Sequence, residues 1–482
     1  MTEPGREAEG RMFHKIRRIH FVGIGGTGMC GIAEVLANLG YEISGSDAAD
    51  GDSVRRLQRL GCRIAIGHDR ANLGHAQVVV VSTAVPSTNP EVEAAREAGV
   101  PVIPRAEMLA ELMRMKFGIA IGGAHGKTTT TWLASLVVDK GGLDPTIVVG
   151  GRLRALDTNA RLGSGRYLVA EADESDGSFL RLTPTLAVIT NMDREHLDHY
   201  GTMEQVEEAF VRFANGVPFY GAAIVCVDDP RVRALLPRFE RRVIPYGFSE
   251  DADVRAVGCT LRDGRTCFTV VQEGRELGEI GLAVPGDHNV RNALAAVCVG
   301  LELSIPFERI REGLEEFSGI GRRLEIRSDA DDILVIDDYA HHPTEISATL
   351  EAVRGWQAGR RLVAVFQPHR FSRTRDLAAE FGAPLAKADR VIVTAIYPAG
   401  EKPIPGVTAE TIVESARAAG ARDVAAVESW EDAVDLILPE TRPGDVVMTL
   451  GAGDVWKAGD LLAARLAASE AGVPVRASGG GE

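Results

Sequence analysis

Short apolar runs alternate with amphipathic stretches in the first hundred residues. The run Arg18 to Gly23 (RIHFVG) predicts a buried strand, followed by a glycine loop and a helix that extends to about Leu39. A second strand ends at Asp47, and a third apolar run covers Gln77 to Ala84 after another helix. This alternation predicts a parallel sheet with ligand contacts at the C-terminal ends of its strands.

The same alternation begins again at Phe117 to Gly123 (FGIAIGG), a strand that leads into a second glycine loop and a threonine-rich helix. Two further strands, Tyr167 to Ala170 and Leu186 to Thr190, both end in polar clusters. Between about 222 and 285, short pieces broken by Asp-Gly and Glu-Gly predict an antiparallel subdomain. The stretch Asn289 to Glu316 is helical in pattern and returns the chain to the α/β body.

A third alternation follows the paired glycines of Gly319 to Arg323 (GIGRR), with strands near 333–337, 362–366, 390–395 and 446–450. We therefore predict an α/β protein of three domains: a Rossmann-like domain over 1–113, a central domain over 114–321 and a second Rossmann-like domain over 322–482. The central domain combines a parallel or mixed sheet with the small antiparallel part. The ends, 1–11 and 467–482, are poor in aromatic residues and are expected to be disordered.

Charge and composition narrow the classes of partner. Lys and Arg total 53 and Asp and Glu total 68, a net charge of −15, which disfavours nucleic acid and anionic membrane surfaces. The chain has neither an apolar run of membrane-spanning length nor an N-terminal signal pattern, so we expect a cytoplasmic protein. Six cysteines without a CxxC pair indicate reduced, mostly buried thiols.

The first glycine loop carries the pattern GxGxxG. Gly23, Gly25 and Gly28 follow a strand and precede a helix, and Asp47 ends the next strand. Glycines there allow the backbone to approach a diphosphate, whose charge the helix N-terminus favours. The pattern does not name the nucleoside, so NAD and other nucleoside diphosphates remain open, as does tight strand–helix packing without a ligand.

The second glycine loop is a shorter variant of the P-loop. It reads Gly123-Ala-His-Gly126-Lys127-Thr128, with Ile121 where the longer Walker A pattern has glycine. Its backbone N–H groups would surround phosphate oxygens, Lys127 would face the β- and γ-phosphates, and a threonine hydroxyl would bind Mg²⁺. A chance Gly-Lys-Thr is the alternative, which the strand–loop–helix context disfavours.

Three later clusters also follow apolar strands. The acidic run Glu171 to Asp176 and the run Thr190 to Tyr200 would lie at the same sheet edge as the second loop and could supply hard oxygen ligands for Mg²⁺. The run QPHRFSRTRD brings the cations Arg370, Arg373 and Arg375, suited to a carboxylate or a phosphoryl group. Solvated surface charge is the alternative for each cluster.

Taken together, these blocks resemble the Mur ligase family from about residue 17 to 465. The resemblance rests on HFVGIGGTGMCGIAEVL, AHGKTTTT, EADESDGSFL, PGDHNVRNA, GIGRR, DDYAHHPTE, FQPHRFSRTRD and IYPAGEKPIPG, in the family's order. It implies one domain for a UDP-sugar, one ATPase domain, and one domain that supplies the amino-acid site. It also implies that the first glycine loop binds a UDP diphosphate and not NAD.

The resemblance further implies a set of site residues. The UDP-sugar ligands would be Gly23, Gly25, Gly28, Asp47, Ser82, Thr83 and Arg105. The ATP ligands would be Gly123, Ala124, His125, Gly126, Lys127, Thr128, Thr129, His288, Asn292 and Asp338. The substrate carboxylate and amino acid would meet Arg322 or Arg323, Tyr339, and His341 or His342. The metal ligands would be Thr128, Glu171 and His196, and the catalytic residues Lys127, Glu171, His196, Arg370 and Arg373.

The activity that the resemblance implies is ATP-dependent ligation of L-alanine to the lactyl carboxylate of UDP-N-acetylmuramate in peptidoglycan synthesis. ATP would convert the carboxylate to an acyl phosphate, with two Mg²⁺ ions and with electrostatic stabilisation by Lys127 and the arginines. The protein is expected to be a monomer or weak homodimer. Ala124 departs from the threonine that the family usually has there, which puts one side-chain contact in doubt. The proton acceptor for alanine stays open between His341, His342 and bulk water.

Other functions remain to be excluded. A recycling ligase that attaches an intact tripeptide to the same sugar would share most of these blocks. An NAD-dependent dehydrogenase would use the first glycine loop but would leave Lys127 and the Glu171 cluster without a role. A binding module that hydrolyses ATP only to change shape is a third possibility.

Overall fold

The computed structural model describes residues 15–82, 84–153 and 158–470. The strands in these residues form three sheets, each flanked by helices. The described chain packs as two compact units. One contains the described residues of Met1–Thr260, Cys267–Leu282 and Asn289–Ser318, and the other those of Leu261–Thr266, Ala283–His288 and Gly319–Glu482.

The first sheet is parallel throughout, with the order β3-β2-β1-β4-β5. Its strands are β1 (Arg18–Val22), β2 (Glu42–Asp47), β3 (Arg63–Ile66), β4 (Val78–Val81) and β5 (Val102–Pro104). Its helices are α1 (Thr27–Asn38), α2 (Asp52–Arg59), α3 (Pro90–Glu97) and α4 (Arg105–Arg114). The predicted strands β1, β2 and β4 are confirmed, whereas the sequence pattern missed the short strands β3 and β5.

The middle sheet has the order β15-β14-β13-β12-β11-β10-β6-β9-β7-β8. Its strands are β6 (Phe117–Gly122), β7 (Thr146–Leu153), β8 (Thr158–Arg161), β9 (Tyr167–Glu171), β10 (Leu186–Ile189), β11 (Ala222–Cys226), β12 (Val243–Gly247), β13 (Val254–Arg262), β14 (Arg265–Gln272) and β15 (Arg275–Leu282). The helices are α5 (Lys127–Lys140), α6 (Leu197–Tyr200), α7 (Met203–Asn215), α8 (Pro230–Leu235), α9 (Asp287–Glu302) and α10 (Phe307–Glu315). Strands β6, β9 and β10 are parallel neighbours, so the loops at their C-terminal ends share one edge.

The antiparallel subdomain is smaller than the sequence pattern predicts. Strand β11 pairs in parallel with β10, and β12 pairs in parallel with β11, so the prediction is wrong for this part of 222–285. Within 222–285, the turns Asp263–Gly264 and Glu273–Gly274 have the positive φ angles typical of two-residue hairpins, and these join β13, β14 and β15. The crossover helix α8 between β11 and β12 is too short to have been distinguished from a loop by its period.

The third sheet has the order β16-β17-β21-β18-β19-β20 and is parallel except for the edge strand β16. Its strands are β16 (Glu325–Ala330), β17 (Ile333–Asp338), β18 (Arg361–Phe366), β19 (Arg390–Val393), β20 (Val424–Ala426) and β21 (Asp445–Leu450). Its helices are α11 (Pro343–Trp356), α12 (Phe371–Asp376), α13 (Ala378–Leu385), α14 (Ala409–Ala418), α15 (Trp430–Ile437) and α16 (Trp456–Glu470).

The expectation of disorder at the ends is wrong for residues 467–470, which belong to α16. That helix packs on β17 and β21, and burial of its apolar face outweighs the weak signal of its small residues. Residues 1–11 and 471–482 lie outside the described residues. Among those described, no helix combines the length and the apolar character needed to cross a bilayer. Four cysteines, Cys30, Cys62, Cys226 and Cys298, are buried, as predicted.

Candidate active site

The second glycine loop connects β6 to α5 and needs its glycines for two physical reasons. Gly123 and Gly126 have φ angles of 131° and 80°, which side-chain-bearing residues rarely adopt. A Cβ atom on Gly123 would lie 2.0 Å from Oγ1 of Thr190, and one on Gly126 would lie 2.6 Å from Oδ1 of Asn292. The backbone therefore forms a tight curve at the N-terminus of α5, where helix N–H groups favour an anion.

Lys127 is the first residue of α5, and its ammonium group faces back over the loop. Its Nζ donates to the carbonyl oxygens of Gly123 and Ala124 over 2.7 and 3.1 Å and to Oε1 of Glu174 over 2.8 Å. Burial alone would lower the pKa of Lys127, but the charges of Glu174 and Glu171 outweigh it and raise this pKa above its usual value. Lys127 is thus a fixed cation at neutral pH.

Carboxylates and hydroxyls gather beside this cation, at the ends of β9 and β10. Oγ1 of Thr128 donates to Oε2 of Glu171 over 3.0 Å. The ligand atoms of Glu174, Glu195 and His196 lie within 4.8 Å of one another. Oε2 of Glu174 is buried and has no hydrogen-bond partner among the described residues. Hard oxygen donors at this density fit Mg²⁺.

His196 is placed by an unusual backbone. It has a φ angle of 57° and caps the short helix α6, and its Nε2 lies 3.5 Å from Oε1 of Glu174 and 3.8 Å from Oε2 of Glu195. Burial would lower the pKa of His196, but its contact with Glu174 raises this pKa above the usual value. The acidic residues that contact His196 are therefore Glu174 and Glu195, neither of which is among the predicted metal ligands.

Side chains that follow β10 hold the second glycine loop by hydrogen bonds. Oδ1 of Asn191 accepts the N–H of His125 over 2.8 Å, and the hydroxyl of Thr190 donates to the carbonyl of His125 over 2.7 Å. The backbone N–H of Ala124 donates to the carbonyl of Asn191 over 3.1 Å. The ring of His125 contacts Oδ2 of Asp193 over 2.9 Å. Ala124 therefore keeps its backbone role although it lacks a hydroxyl.

Helix α9 brings Asn292 against the same loop, at Gly126. Asn292 is buried, and His288 lies one turn earlier on α9, so spacing of four residues puts both on one face of that helix. Thr129, also predicted as an ATP ligand, is buried in the first turn of α5.

The first glycine loop and Asp47 form one structure. Oδ2 of Asp47 accepts the backbone N–H of Gly25 over 2.7 Å, and a Cβ on Gly25 would lie only 2.9 Å from that oxygen. The carbonyl of Ser46 accepts the N–H groups of Gly23 and Ile24 over 2.9 and 3.0 Å. The end of β2 thus shapes the loop that follows β1, as the spacing of the two sequence features suggests.

The remaining residues that were predicted to bind the UDP-sugar lie near the same strand ends. A Cβ on Gly28 would lie 2.8 Å from Nη1 of Arg105, the first residue of α4. The Arg105 guanidinium also contacts Oδ2 of Asp173, in the acidic loop after β9, over 3.4 Å. Ser82 follows β4 and lies next to Gly23. Thr83 lies outside the described residues.

In the second unit, residues that were predicted to bind the amino-acid substrate lie around the end of β17. The buried carboxylate of Asp338 accepts the N–H groups of Leu324 and Ala340, both over 2.8 Å. Burial raises the pKa of Asp338 to about 6 although Arg323 opposes this. The guanidinium of Arg322 contacts Asp337 and donates to the carbonyls of Gly451 and Gly453. Arg322 therefore ties the GIGRR segment to the loop after β21.

Aromatic and imidazole rings form a continuous row in this unit. The guanidinium groups of Arg322 and Arg323 lie 5.0 and 5.2 Å from the ring centre of Tyr339. The ring of Tyr339 packs edge-on against His341 at 5.3 Å, and His341 packs against His369 at 5.6 Å. His369 in turn stacks on Tyr397 at 5.6 Å. His342 is buried at the N-cap of α11, where its Nδ1 accepts the N–H of Thr344 over 3.4 Å.

Arg370 is the N-cap of helix α12 and Arg373 lies within that helix, both beside this row. Arg370 is exposed and has a φ angle of 71°, a strained conformation of the kind found at functional sites. Burial, together with His341, Arg373 and Arg370, lowers the pKa of His369 to about 3. Arg375 is different, because it is exposed and pairs with its neighbour Asp376. The structure thus separates Arg375 from the two arginines that flank the row.

Comparison with known proteins identifies the family. The family model described as Mur ligase family, catalytic domain, matches residues 18–117, the Mur ligase middle domain matches 121–300, and the Mur ligase glutamate ligase domain matches 322–453. A protein of Geobacter sulfurreducens named UDP-N-acetylmuramate–L-alanine ligase is 53% identical over 456 residues, which is 94% of this chain and 99% of that protein.

The chain belongs to the Mur ligase family.

Solved structures agree with this assignment. The UDP-N-acetylmuramate–alanine ligase of Thermotoga maritima matches this Mur ligase with a TM-score of 0.79 and 28% identity, over 94% of this chain and 99% of the other. A murein peptide ligase of Psychrobacter arcticus shares the fold, with a TM-score of 0.68 and 24% identity over 93% and 98% of the two chains. The predicted family and the three-domain α/β fold are confirmed.

Sequence reasoning missed several residues of this Mur ligase site. Glu174 and Glu195 contact His196, and Asn191 holds the phosphate loop. Glu345 contacts Arg323, and His369 stacks on Tyr397. Glu174, Glu345 and His369 lie in blocks that carry the family resemblance, and the other two lie in the polar run from Thr190 to Tyr200, so the neighbourhood of all five was recognised. A choice among neighbouring polar residues needs the direction of each side chain, which a sequence does not contain.

Proposed function

We propose that this Mur ligase joins L-alanine to the lactyl carboxylate of UDP-N-acetylmuramate with consumption of ATP, releasing ADP and phosphate, in peptidoglycan synthesis. A carboxylate must first be activated, so the γ-phosphoryl group of ATP passes to a carboxylate oxygen and gives an acyl phosphate. The amine of alanine then attacks the acyl carbon, the C–N bond forms, and phosphate leaves.

One observation carries the proposal. A Gly-Lys-Thr loop places a fixed cation and a group of carboxylates at one sheet edge, in a chain that is 53% identical to a protein named UDP-N-acetylmuramate–L-alanine ligase. The glycine curve at Gly123 and Gly126 suits the triphosphate of ATP. We assign Gly123, Ala124, His125, Gly126, Lys127, Thr128 and Thr129 to its phosphates.

The acidic cluster fits Mg²⁺, because it offers hydroxyl and carboxylate oxygens and because Oε2 of Glu174 is buried without a partner among the described residues. Thr128, Glu171 and His196 would hold the metal, as predicted, and we add Glu174. When bound, Mg²⁺ would neutralise phosphate charge. Lys127 would contribute a second positive charge to the developing phosphoryl transfer, at a distance set by its contacts with the loop.

The remaining ligands follow the predicted assignment. His288 and Asn292 share one face of α9 and would contact adenine, and Asp338 would bind the ribose. The first glycine loop with Asp47, Ser82, Thr83 and Arg105 would bind the UDP-sugar. Arg323, Tyr339, His341, His342, Arg370 and Arg373 would bind alanine and the substrate carboxylate. For Arg322 we favour a structural role, since its guanidinium already binds three backbone carbonyls and Asp337.

Each of the three predicted domains is assigned one ligand. We assign 1–113 to the UDP-sugar domain, 114–321 to the ATP-binding domain and 322–482 to the amino-acid domain. We further propose that the protein works in the cytoplasm, where ATP and UDP-sugars are supplied, as a monomer or weak homodimer with two Mg²⁺ ions. UDP-N-acetylmuramate and L-alanine are its small-molecule partners.

The decisive experiment measures phosphate release with ATP, UDP-N-acetylmuramate and L-alanine, and then with each substrate omitted in turn. Full activity only with all three supports the ligase. Release without the sugar and alanine would favour an ATP-driven binding module instead. Competition between L-alanine and the tripeptide L-Ala-D-Glu-meso-diaminopimelate distinguishes the recycling ligase, which would prefer the tripeptide.

A further inference from the structure

The loop between β17 and α11 distinguishes the paired histidines. His342 is buried, and its Nδ1 accepts the N–H of Thr344 as the N-cap of α11. His341 is more exposed than His342, with 16% of its side chain accessible. Of the two, it is the ring of His341 that packs against the ring of His369. His369 directly precedes Arg370.

The Nδ1 atom of His341 faces two hydrogen-bond acceptors. The carbonyl oxygen of Tyr339 lies 3.1 Å away and Oε2 of Glu345 lies 3.2 Å away. Since both are acceptors, Nδ1 carries the proton in the neutral ring, and Nε2 keeps its lone pair. A histidine whose tautomer is set in this way by a carboxylate and a carbonyl presents a base at its other nitrogen.

Glu345 holds the histidine in this orientation by a second contact. Its Oε2 also accepts the backbone N–H of His341 over 3.1 Å, so both the main chain and the ring of His341 are held by one carboxylate. The Arg323 guanidinium lies 3.5 Å from Oε1 of Glu345. The side chain of Glu345 is therefore held in place by a neighbouring cation.

We propose that His341 accepts the ammonium proton of alanine at its Nε2 atom and that Glu345 is its positioning residue. The inference rests on the proposed ligase function. His341 takes one proton from the ammonium group, and the free amine attacks the acyl carbon of the acyl phosphate. The C–N bond forms, the C–O bond to phosphate breaks, and the leaving phosphate takes the electron pair and the second amine proton. Protonated His341 then releases its proton to solvent.

Neighbouring groups are less suited to this role. His369 is the nearest other imidazole, but its pKa of about 3 makes it a much weaker base. The Nδ1 atom of His342 is engaged as a helix cap. Arg370 and Arg373 are cations that can bind the alanine carboxylate and so bring its ammonium group toward the row of rings.

The test compares L-alanine with hydroxylamine as the attacking amine in the full-length enzyme with ATP and UDP-N-acetylmuramate. Hydroxylamine is already a free amine at neutral pH, so it needs no base to trap the acyl phosphate as a hydroxamate. In His341→Gln we expect kcat with alanine to fall about 100-fold, while hydroxamate formation stays within about threefold of the wild type. In Glu345→Gln we expect kcat with alanine to fall about tenfold with an unchanged KM for alanine. Glu351→Gln, an exposed carboxylate on the same helix paired with Lys387, is the control.

Each other outcome has a defined meaning. If both reactions of His341→Gln stay near the wild type, solvent takes the proton and the proposal is wrong. If both fall together, His341 serves the fold or acyl phosphate formation, and the proposal is again wrong. If His341→Gln does not fold, the Glu345→Gln comparison decides by the same criteria. Absence of hydroxamate in the wild type would instead contradict the proposed ligase function.

Discussion

Lys127 and Glu174 form an ion pair in which Nζ and Oε1 are 2.8 Å apart. The pair links the first residue of the phosphate-loop helix to the acidic loop after the neighbouring strand β9. The same Nζ also donates to the carbonyls of Gly123 and Ala124, so the cation is held over the loop before any nucleotide binds. An incoming triphosphate would compete with Glu174 for this cation, and release of the carboxylate would make it available to Mg²⁺.

The first prediction concerns the cation itself. Lys127→Ala should lower kcat by at least about 100-fold with the fold intact, because phosphoryl transfer loses a fixed positive charge. Steady-state phosphate release and circular dichroism measure the two effects. Lys140→Ala, at the exposed end of the same helix, removes an ion pair with Glu316 and should leave kcat unchanged. Near-normal turnover in Lys127→Ala would remove this lysine from the mechanism.

The second prediction concerns Glu174 as a metal ligand. Glu174→Gln should raise the Mg²⁺ concentration needed for half-maximal activity by about tenfold or more, because a carboxylate near the metal becomes neutral. The measurement is a Mg²⁺ titration of phosphate release at saturating ATP. Asp176→Asn changes the charge of the same loop but accepts only the backbone N–H of Ser178, so its Mg²⁺ curve should match the wild type. If the Mg²⁺ titration curves of Glu174→Gln and the wild type superimpose, Glu174 is not a metal ligand and only pairs with Lys127.

The third prediction concerns which nucleotide the protein binds, UDP-N-acetylmuramate or NAD. Calorimetry on the full-length protein should detect binding of UDP-N-acetylmuramate and no binding of NAD. Gly25→Ala should weaken binding of the sugar nucleotide by about tenfold or more. The new Cβ would lie only 2.9 Å from Oδ2 of Asp47 and would displace that side chain. It would also occupy the surface that approaches the diphosphate. Gly51→Ala, with open space around its Cβ position, is the matched control. Binding of NAD without binding of the UDP-sugar would overturn the assignment.

The fourth prediction separates three arginines of one segment. Arg370→Lys and Arg373→Lys keep the charge but lose the planar pair of donors. Each should therefore raise the activation free energy that corresponds to kcat/KM for alanine by roughly 2 to 4 kcal/mol. The KM for ATP should change little. Arg375→Lys is the internal control, because that exposed side chain pairs with Asp376. Equal kinetics in all three variants would assign the whole run to the solvated surface.

The fifth prediction concerns stability and pH. Glu91 is fully buried, and burial raises its pKa, but hydrogen bonds from His20, Ser46, His68 and Asn72 outweigh this and lower it to about 2 from 4.5. Because the folded pKa is depressed, the ionised carboxylate contributes stability at pH values above 4.5, and that contribution is lost as the pH falls from 4.5 toward 2.

Glu91→Gln should therefore lower the free energy of unfolding at pH 7 and flatten its dependence on pH below 4.5. Urea unfolding at pH 7, 5, 4 and 3 measures this dependence. Glu97→Gln is a suitable comparison, since Glu97 lies on the same helix but is exposed and pairs with Arg70. An unchanged slope between pH 5 and 3 in Glu91→Gln would show that other carboxylates carry the acid sensitivity.

Local chemistry explains which parts of this Mur ligase a sequence can predict. The strands around both glycine loops are short apolar runs that end in glycines or in polar clusters, so β1, β6, β9 and β10 were predictable from pattern alone. Short edge strands such as β3, β5 and β20 were not, because three or four residues carry too little periodicity. Strands β11 and β12 were placed in the wrong kind of pairing, since parallel neighbours are chosen by packing and not by the strands' own residues.

The sequence by itself determined the family, the α/β class, the two glycine loops and the blocks in which the functional residues lie, because each of these depends on residue types at fixed spacing. Tertiary structure decided which members of a block meet. It brought Glu174 to Lys127 and His196, placed His342 as the cap of helix α11, and directed Nδ1 of His341 to Glu345. Those choices depend on the directions of side chains from different strands, which are set when the sheets and helices pack.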